Sequence, residues 1–160
     1  MDDVKLITSG LFDEVADQAA TSPRRRMNRN FHESAGDNPH RFLNVLLCGT
    51  YIRPHRHSAP PKSETFVVLE GVAEVILFDD EGSITARHSL GAETPEGRIW
   101  GIDLPPGLWH TVLPRTDRVV CFEVKPGPWN PANDKEFAPW APAEGSPEAA
   151  EYCRKLLGGA

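Results

Sequence analysis

The spacing of apolar residues changes character three times along the chain. Between residues 9 and 20, Leu11, Phe12, Val15, Ala16, Ala19 and Ala20 recur at three- and four-residue intervals, the repeat of one helical face. Thr8 or Ser9 can cap this helix, Asp13 and Glu14 suit its early turns, and Pro23 ends it. From 26 to 32 the interval falls to two. Met27, Arg29 and Phe31 lie on one side, with Asn28, Asn30 and His32 on the other. That alternation predicts a strand with one wholly polar face. Strands then follow at 41–47, 64–69, 72–78, 84–89, 99–104, 110–113 and 118–125, with Gly-, Pro- and Asp-bearing turns between them and a loop over 91–97. Short strands at this rhythm predict an all-β sandwich or barrel.

Past Pro126 the periodicity is lost. Five prolines between 126 and 142, interleaved with Trp129, Phe137 and Trp140, predict an irregular segment that wraps the barrel and buries its rings. Ser146 and Pro147 then offer N-cap and first-turn chemistry for a short helix. Its apolar side is Ala149, Ala150, Cys153, Leu156 and Leu157, and Gly158-Gly159 stops it. One domain over 1–160 is expected. Residues 1–40 would carry the N-terminal helix and polar-faced strand, 41–126 the barrel core, and 127–160 the wrap and C-terminal helix.

Charge and cysteines narrow the partners. A formal charge of −6 over 160 residues gives no electrostatic ground for binding nucleic acid or an anionic membrane. The Arg24-Arg25-Arg26 run reads as a solvated loop. Cys48, Cys121 and Cys153 form neither a CxxC motif nor a disulfide framework, so buried reduced thiols in a cytoplasmic protein are expected. No apolar run reaches membrane-spanning length, and Met1-Asp2-Asp3 lacks the regions of a signal peptide.

The chemistry concentrates between Gly49 and Gly71. His55 and His57 lie two apart, so on a strand they aim two imidazoles into one space. Glu64 opens the next strand, and His110 follows a Pro-Pro-Gly turn. Three imidazoles and one carboxylate leave open positions on an octahedral ion. That donor set suits zinc, iron, manganese or nickel without choosing among them. On a regular strand Tyr51 and Arg53 share the side of His55, and a guanidinium suits a substrate anion. Glu123 and Lys125 share one face of the last strong strand and can supply acid/base groups, as can Glu64. Arg53, Glu123 and Lys125 also read as surface residues or structural ion pairs. Asn28, Asn30 and His32 read either as an exposed edge or as the lining of a polar pocket. His40 falls in a loop and His88 on an exposed hairpin.

These residues resemble the cupins, whose first motif is G-x5-H-x-H-x3–4-E-x6-G. Gly49, His55, His57, Glu64 and Gly71 match it, with six residues rather than three or four before Glu64. Pro105, Gly107 and His110 match the second motif, with Pro114 where asparagine is usual. The chain is more closely similar to WbuC-type cupin-fold metalloproteins. The likeness is carried by Arg-Met-Asn-Arg-Asn-Phe-His-Glu at 26–33, Pro-His-Arg-His at 54–57, Glu-Thr-Phe-Val-Val-Leu at 64–69 and Phe-Ala-Pro-Trp-Ala-Pro at 137–142. The resemblance implies a small cupin (double-stranded β-helix, or jelly-roll) barrel with short helices outside and one bound divalent metal. It also implies a place in bacterial surface-polysaccharide (O-antigen) metabolism, and a homodimer. The expected function is a mononuclear metal protein acting on a sugar or sugar-nucleotide-like molecule. Isomerase or epimerase chemistry and dioxygenase-like Fe(II) chemistry are both open, and a non-catalytic, metal-organised binding module is the alternative.

Overall fold

The computed structural model describes residues 4–158. Met1-Asp2-Asp3 and Gly159, which the sequence reading used, lie outside the described residues. Two five-stranded antiparallel sheets face each other. The first comprises β1 (Arg26–Asn30), β2 (His40–Leu47), β4 (Glu64–Glu70), β9 (Gly101–Leu104) and β11 (Arg118–Lys125). The second comprises β3 (His55–Arg56), β5 (Ala73–Phe78), β6 (Ile84–Leu90), β10 (Trp109–Pro114) and β12 (Glu136–Phe137). Their spatial orders are β1-β2-β11-β4-β9 and β12-β3-β10-β5-β6. The barrel therefore takes the form of a jelly-roll sandwich. Residues 91–97, expected to be loop, carry part of a small hairpin between β7 (Glu93–Thr94) and β8 (Gly97–Arg98).

The period of two decides what each sheet buries. Leu46, Phe66, Val68, Val75, Val112, Val119 and Cys121 point between the sheets and form one apolar core with Leu90 and Leu104. The alternate residues of the first sheet, Leu43, Val45 and Val120, face outwards. They are covered by helix α1 (Ser9–Thr21) through Leu11, Phe12, Val15 and Ala16. Thr8 caps that helix by accepting the Leu11 N–H at 3.2 Å. Gly71 (φ +77°) turns β4 into β5 where a Cβ would run into the Arg118 carbonyl.

The outer face of the second sheet is covered by the C-terminal wrap and helix α2 (Ala149–Leu156). Ile76, Phe78, Trp109 and Leu113 meet Ala138, Ala141, Ala149, Cys153 and Leu156 there. Trp140 packs over Phe78 and Trp109, whereas Trp129 and Phe137 remain exposed, contrary to the expectation that all the rings would be buried. Ser146 does not cap α2. The helix begins at Ala149, after a turn in which the Ser146 carbonyl accepts the Ala149 N–H, and the Ser146 hydroxyl is unpartnered among the described residues. At the other end Arg87 and Arg115 donate to the Leu156 and Leu157 carbonyls, satisfying acceptors that a helix terminus leaves open.

Three further residues depart from expectation. Arg26 is buried rather than solvated; it donates to the Tyr51 carbonyl and makes a two-pronged pair with Glu144 at 2.9 and 2.7 Å. Cys48 is exposed, while Cys121 and Cys153 are buried free thiols. His40 opens β2 and is buried. Its ring stacks on His32 at 4.0 Å. Among the described residues no helix is long and apolar enough to cross a membrane.

Candidate metal centre

Position along the strands divides the interior into an apolar end and a polar end. On β11 the inward series runs Val119, Cys121, Glu123, Lys125; on β4 it runs Val68, Phe66, Glu64. The polar ends of these strands lie beside β3 and the start of β10. His55 is register partner to His110 across the β3–β10 ladder, with ring centroids 4.5 Å apart. His57 follows one residue beyond β3. All four side chains are buried, and His55, His57, Glu64 and His110 each offer a donor atom within 4.8 Å of the others.

The orientation of the rings identifies the donor atoms. Each imidazole turns its Nδ1 towards a backbone carbonyl: His55 to Arg53 (3.0 Å), His110 to Leu108 (2.9 Å) and His57 to Asp134. A carbonyl only accepts, so each Nδ1 carries the proton and each neutral ring keeps its Nε2 lone pair free. His57 Nε2 lies 3.0 Å from Glu64 Oε1, and His110 Nε2 lies 3.0 Å from Oε2. Lone pairs thus face lone pairs inside a buried site, and among the described residues His57 Nε2 has no hydrogen-bond partner. A cation between them resolves that conflict, so the residues fit a divalent ion.

The surroundings of Glu64 and His55 favour their ligating forms. Burial alone would raise the Glu64 carboxyl, but the Lys125 ammonium 3.3 Å away works against it and favours the carboxylate. Burial, then the Lys135 ammonium, pushes His55 well below its usual value and keeps it neutral. Lys125 is a hub, 3.3 Å from both Glu64 and Asp134 and 3.8 Å from Glu123. Those three carboxylates overcome its burial and raise its pKa. Glu123 goes the other way: burial, then the negative charge of Glu64, pushes it up to about 8. It also accepts a hydrogen bond from Asn44 at 3.1 Å.

The six residues between His57 and Glu64 have a structural purpose. They carry Lys62 inwards, where its ammonium donates to the Pro128 carbonyl (2.6 Å) and to Asp134 (3.0 Å). The same Asp134 offers its carbonyl to His57. The long loop thus ties the C-terminal wrap to the metal cluster. Asp134, Lys62 and Lys135 carry no signal in the sequence. The first and last sit in a Pro-rich stretch without periodicity, and Lys62 lies in what reads as a solvated turn.

Other candidate residues fall elsewhere. The strand is not regular through Pro54, because the ladder begins at His55. Tyr51 accordingly packs in the outer cluster, and its hydroxyl donates to the Pro142 carbonyl at 2.9 Å. Arg53 donates to the Ala138 carbonyl at 2.6 Å and lies 5.6 Å from the Phe137 ring centre. Both clamp the wrap. His32 is engaged with the Arg41 backbone and His40. Asn28 and Asn30 are exposed on β1, opposite Asn44 and Phe42. His88 is half-buried on β6.

The sandwich, with its buried three-histidine, one-carboxylate cluster, has the cupin fold. The chain belongs to the family described as a domain of unknown function (DUF6016), whose model matches residues 7–90. Solved structures share the fold. The capsular polysaccharide assembling protein CapF of Staphylococcus aureus is 18% identical, covering 73% of this chain and 32% of its own, with a TM-score of 0.58. Protein SO0799 of Shewanella oneidensis is 14% identical over 78% of this chain and 82% of its own, with a TM-score of 0.58. Salicylate 1,2-dioxygenase of Pseudoaminobacter salicylatoxidans, a variant in complex with gentisate, is 13% identical over 76% of this chain and 33% of its own, with a TM-score of 0.54. The chain thus spans about a third of the length of CapF and of the dioxygenase.

Proposed function

We propose that the protein is a mononuclear metalloenzyme of the cupin class that acts on a small sugar or sugar-nucleotide-like molecule in bacterial surface-polysaccharide metabolism. One observation carries the metal reading: three Nε2 lone pairs and a carboxylate converge in a buried site while every Nδ1 proton is held by a carbonyl. His55, His57, Glu64 and His110 would hold the ion, which supplies Lewis acidity at its open positions. The sugar-like substrate is supported by the resemblance to WbuC-type proteins at 26–33, 54–57, 64–69 and 137–142.

Within this reading the chain's own residues divide the work. Glu123, with its carboxyl pushed up to about 8, keeps a proton at neutral pH and is placed to give or take one beside the cluster. Lys125 stays charged beside Glu64, Asp134 and Glu123 and acts as counter-ion to the first two rather than as a base. Asn28 and Asn30, free on the polar face of β1, offer amide groups to ligand hydroxyls. The cluster is buried, and the Phe137 ring centre lies 6.3 Å from that of His55.

The test is elemental analysis of protein purified without a metal-affinity step, beside a His55→Ala/His57→Ala variant. About one divalent ion per wild-type chain and none in the variant are expected. Equal, negligible metal in both sinks the reading. Iron would direct the search to dioxygenase-like chemistry, and zinc to non-redox chemistry such as isomerisation.

A further inference from the structure

Among the described residues Lys135 is the lysine near the buried cluster that the ion-pair network does not use. It follows Asp134, whose carbonyl holds His57, and precedes β12, where Phe137 pairs with His55. Its neighbours point elsewhere: the Asp134 carboxylate meets Lys62 and Lys125, and Glu136 turns outwards to Arg56 and Ser58. Lys135 is half-buried, and its ammonium lies within electrostatic reach of His55, Glu64, Glu123 and Lys125. Among the described residues it has no hydrogen-bond or ion-pair partner, whereas Glu64, Glu123 and Asp134 each lie within 4.0 Å of Lys62 or Lys125.

The charges then point one way. Without an ion, the ammonium groups of Lys62, Lys125 and Lys135 at least match the negative charge that Glu64, Glu123 and Asp134 can carry. A divalent ion adds positive charge, and no carboxylate is left to match it. Excess charge in a buried site is costly unless it is paired. The missing partner is an anion from outside that reaches both the open metal positions and Lys135. A sugar acid would bring a carboxylate, and a sugar phosphate or nucleotide would bring a phosphate.

We propose that Lys135 anchors the anionic group of the ligand, a carboxylate or a phosphate, beside the metal. The inference rests on the metal reading above and narrows its substrate class to small organic anions. It makes Lys135 a substrate-positioning residue supplied by the C-terminal wrap, which also explains why Asp134 and Lys62 fasten that wrap to the cluster.

The experiment uses the full chain loaded with Co(II). Metal uptake is measured first, and then inorganic phosphate and acetate are titrated in separate arms at fixed ionic strength, followed by calorimetry and the Co(II) visible spectrum. Wild type is compared with Lys135→Met and Lys135→Arg. Expected are equal Co(II) uptake in all three, binding of at least one anion by wild type, and a loss of roughly tenfold or more in Lys135→Met. Lys135→Arg, which keeps the charge, should retain most of the affinity. The arm that responds tells phosphate from carboxylate. Anion affinity in Lys135→Met within about twofold of wild type, well short of a charge-assisted bond, overturns the inference, as does a loaded wild type that binds neither anion. Absence of Co(II) uptake by wild type would instead remove the metal reading itself and this inference with it.

Discussion

The two ends of the interior are built by the same strands and obey the same alternation, yet their energetics are opposite. At one end Leu46, Val68, Val75, Leu90 and Val119 are almost completely buried and lose only apolar surface to each other. At the other, His55, His57, Glu64, His110, Glu123 and Lys125 are just as inaccessible, none more than 7% exposed. Burying apolar surface stabilises the fold at about 25 cal/mol per Å². Burying charges costs stability unless they are paired and hydrogen-bonded. A chain that only needed to fold would extend the first end into the second. Here the polar end is kept, with Lys62 and Lys125 placed against its carboxyl groups, which is the mark of a site rather than of a scaffold.

The largest way to break the comparison is at the polar end. His55→Ala/His57→Ala should lower divalent-ion affinity by at least roughly a hundredfold, since it removes two of four donors. The metal-free variant should unfold at about the same denaturant concentration as metal-free wild type, because the apolar end holds the sandwich together. Calorimetric metal titration and urea melts check the two halves. Leu46→Ala is the converse. It opens a cavity in the apolar end and should cost about 2–5 kcal/mol, with metal stoichiometry unchanged in the folded protein.

Glu123→Gln sharpens the comparison through pH. The Glu123 carboxyl is raised by burial and by Glu64, to about 8, above its unfolded value. The folded state therefore binds more protons than the unfolded one between the ordinary carboxylate range and about pH 8. The stability this contributes is present in full at the acid end of that window and is lost as pH rises through it. Metal-free wild type should become less stable between pH 5 and 8 relative to Glu123→Gln, as read from urea melts across that range. A parallel pair of curves would count against a buried, protonated Glu123. Tyr51→Phe is the smallest effect. Losing the bond to the Pro142 carbonyl should cost about 0.5–1.5 kcal/mol and leave metal and anion affinity alone, as suits a clamp on the wrap.

What was legible in the sequence follows from the same contrast. Strand alternation and turn residues exposed the sandwich, and the HxH pair, Glu64 and His110 stood out because regular strands put them on one side. A regular strand through Pro54 would put Arg53 and Tyr51 on the side of His55, but the ladder starts only at His55. Arg26 looked solvated inside its basic run, and only the distant Glu144 explains its burial. Lys62, Asp134 and Lys135 were invisible for a similar reason. They lie in turns and in the Pro-rich wrap, where no period says which side chains turn inwards, and their partners are up to 77 residues away.

The most direct test of the central claim is an anomalous-difference map from crystals of the metal-loaded protein, collected at the absorption edge of the metal found by elemental analysis. The account predicts a single peak between Nε2 of His55, His57 and His110 and a carboxylate oxygen of Glu64. A fully loaded protein whose peak lies away from these four residues would contradict it.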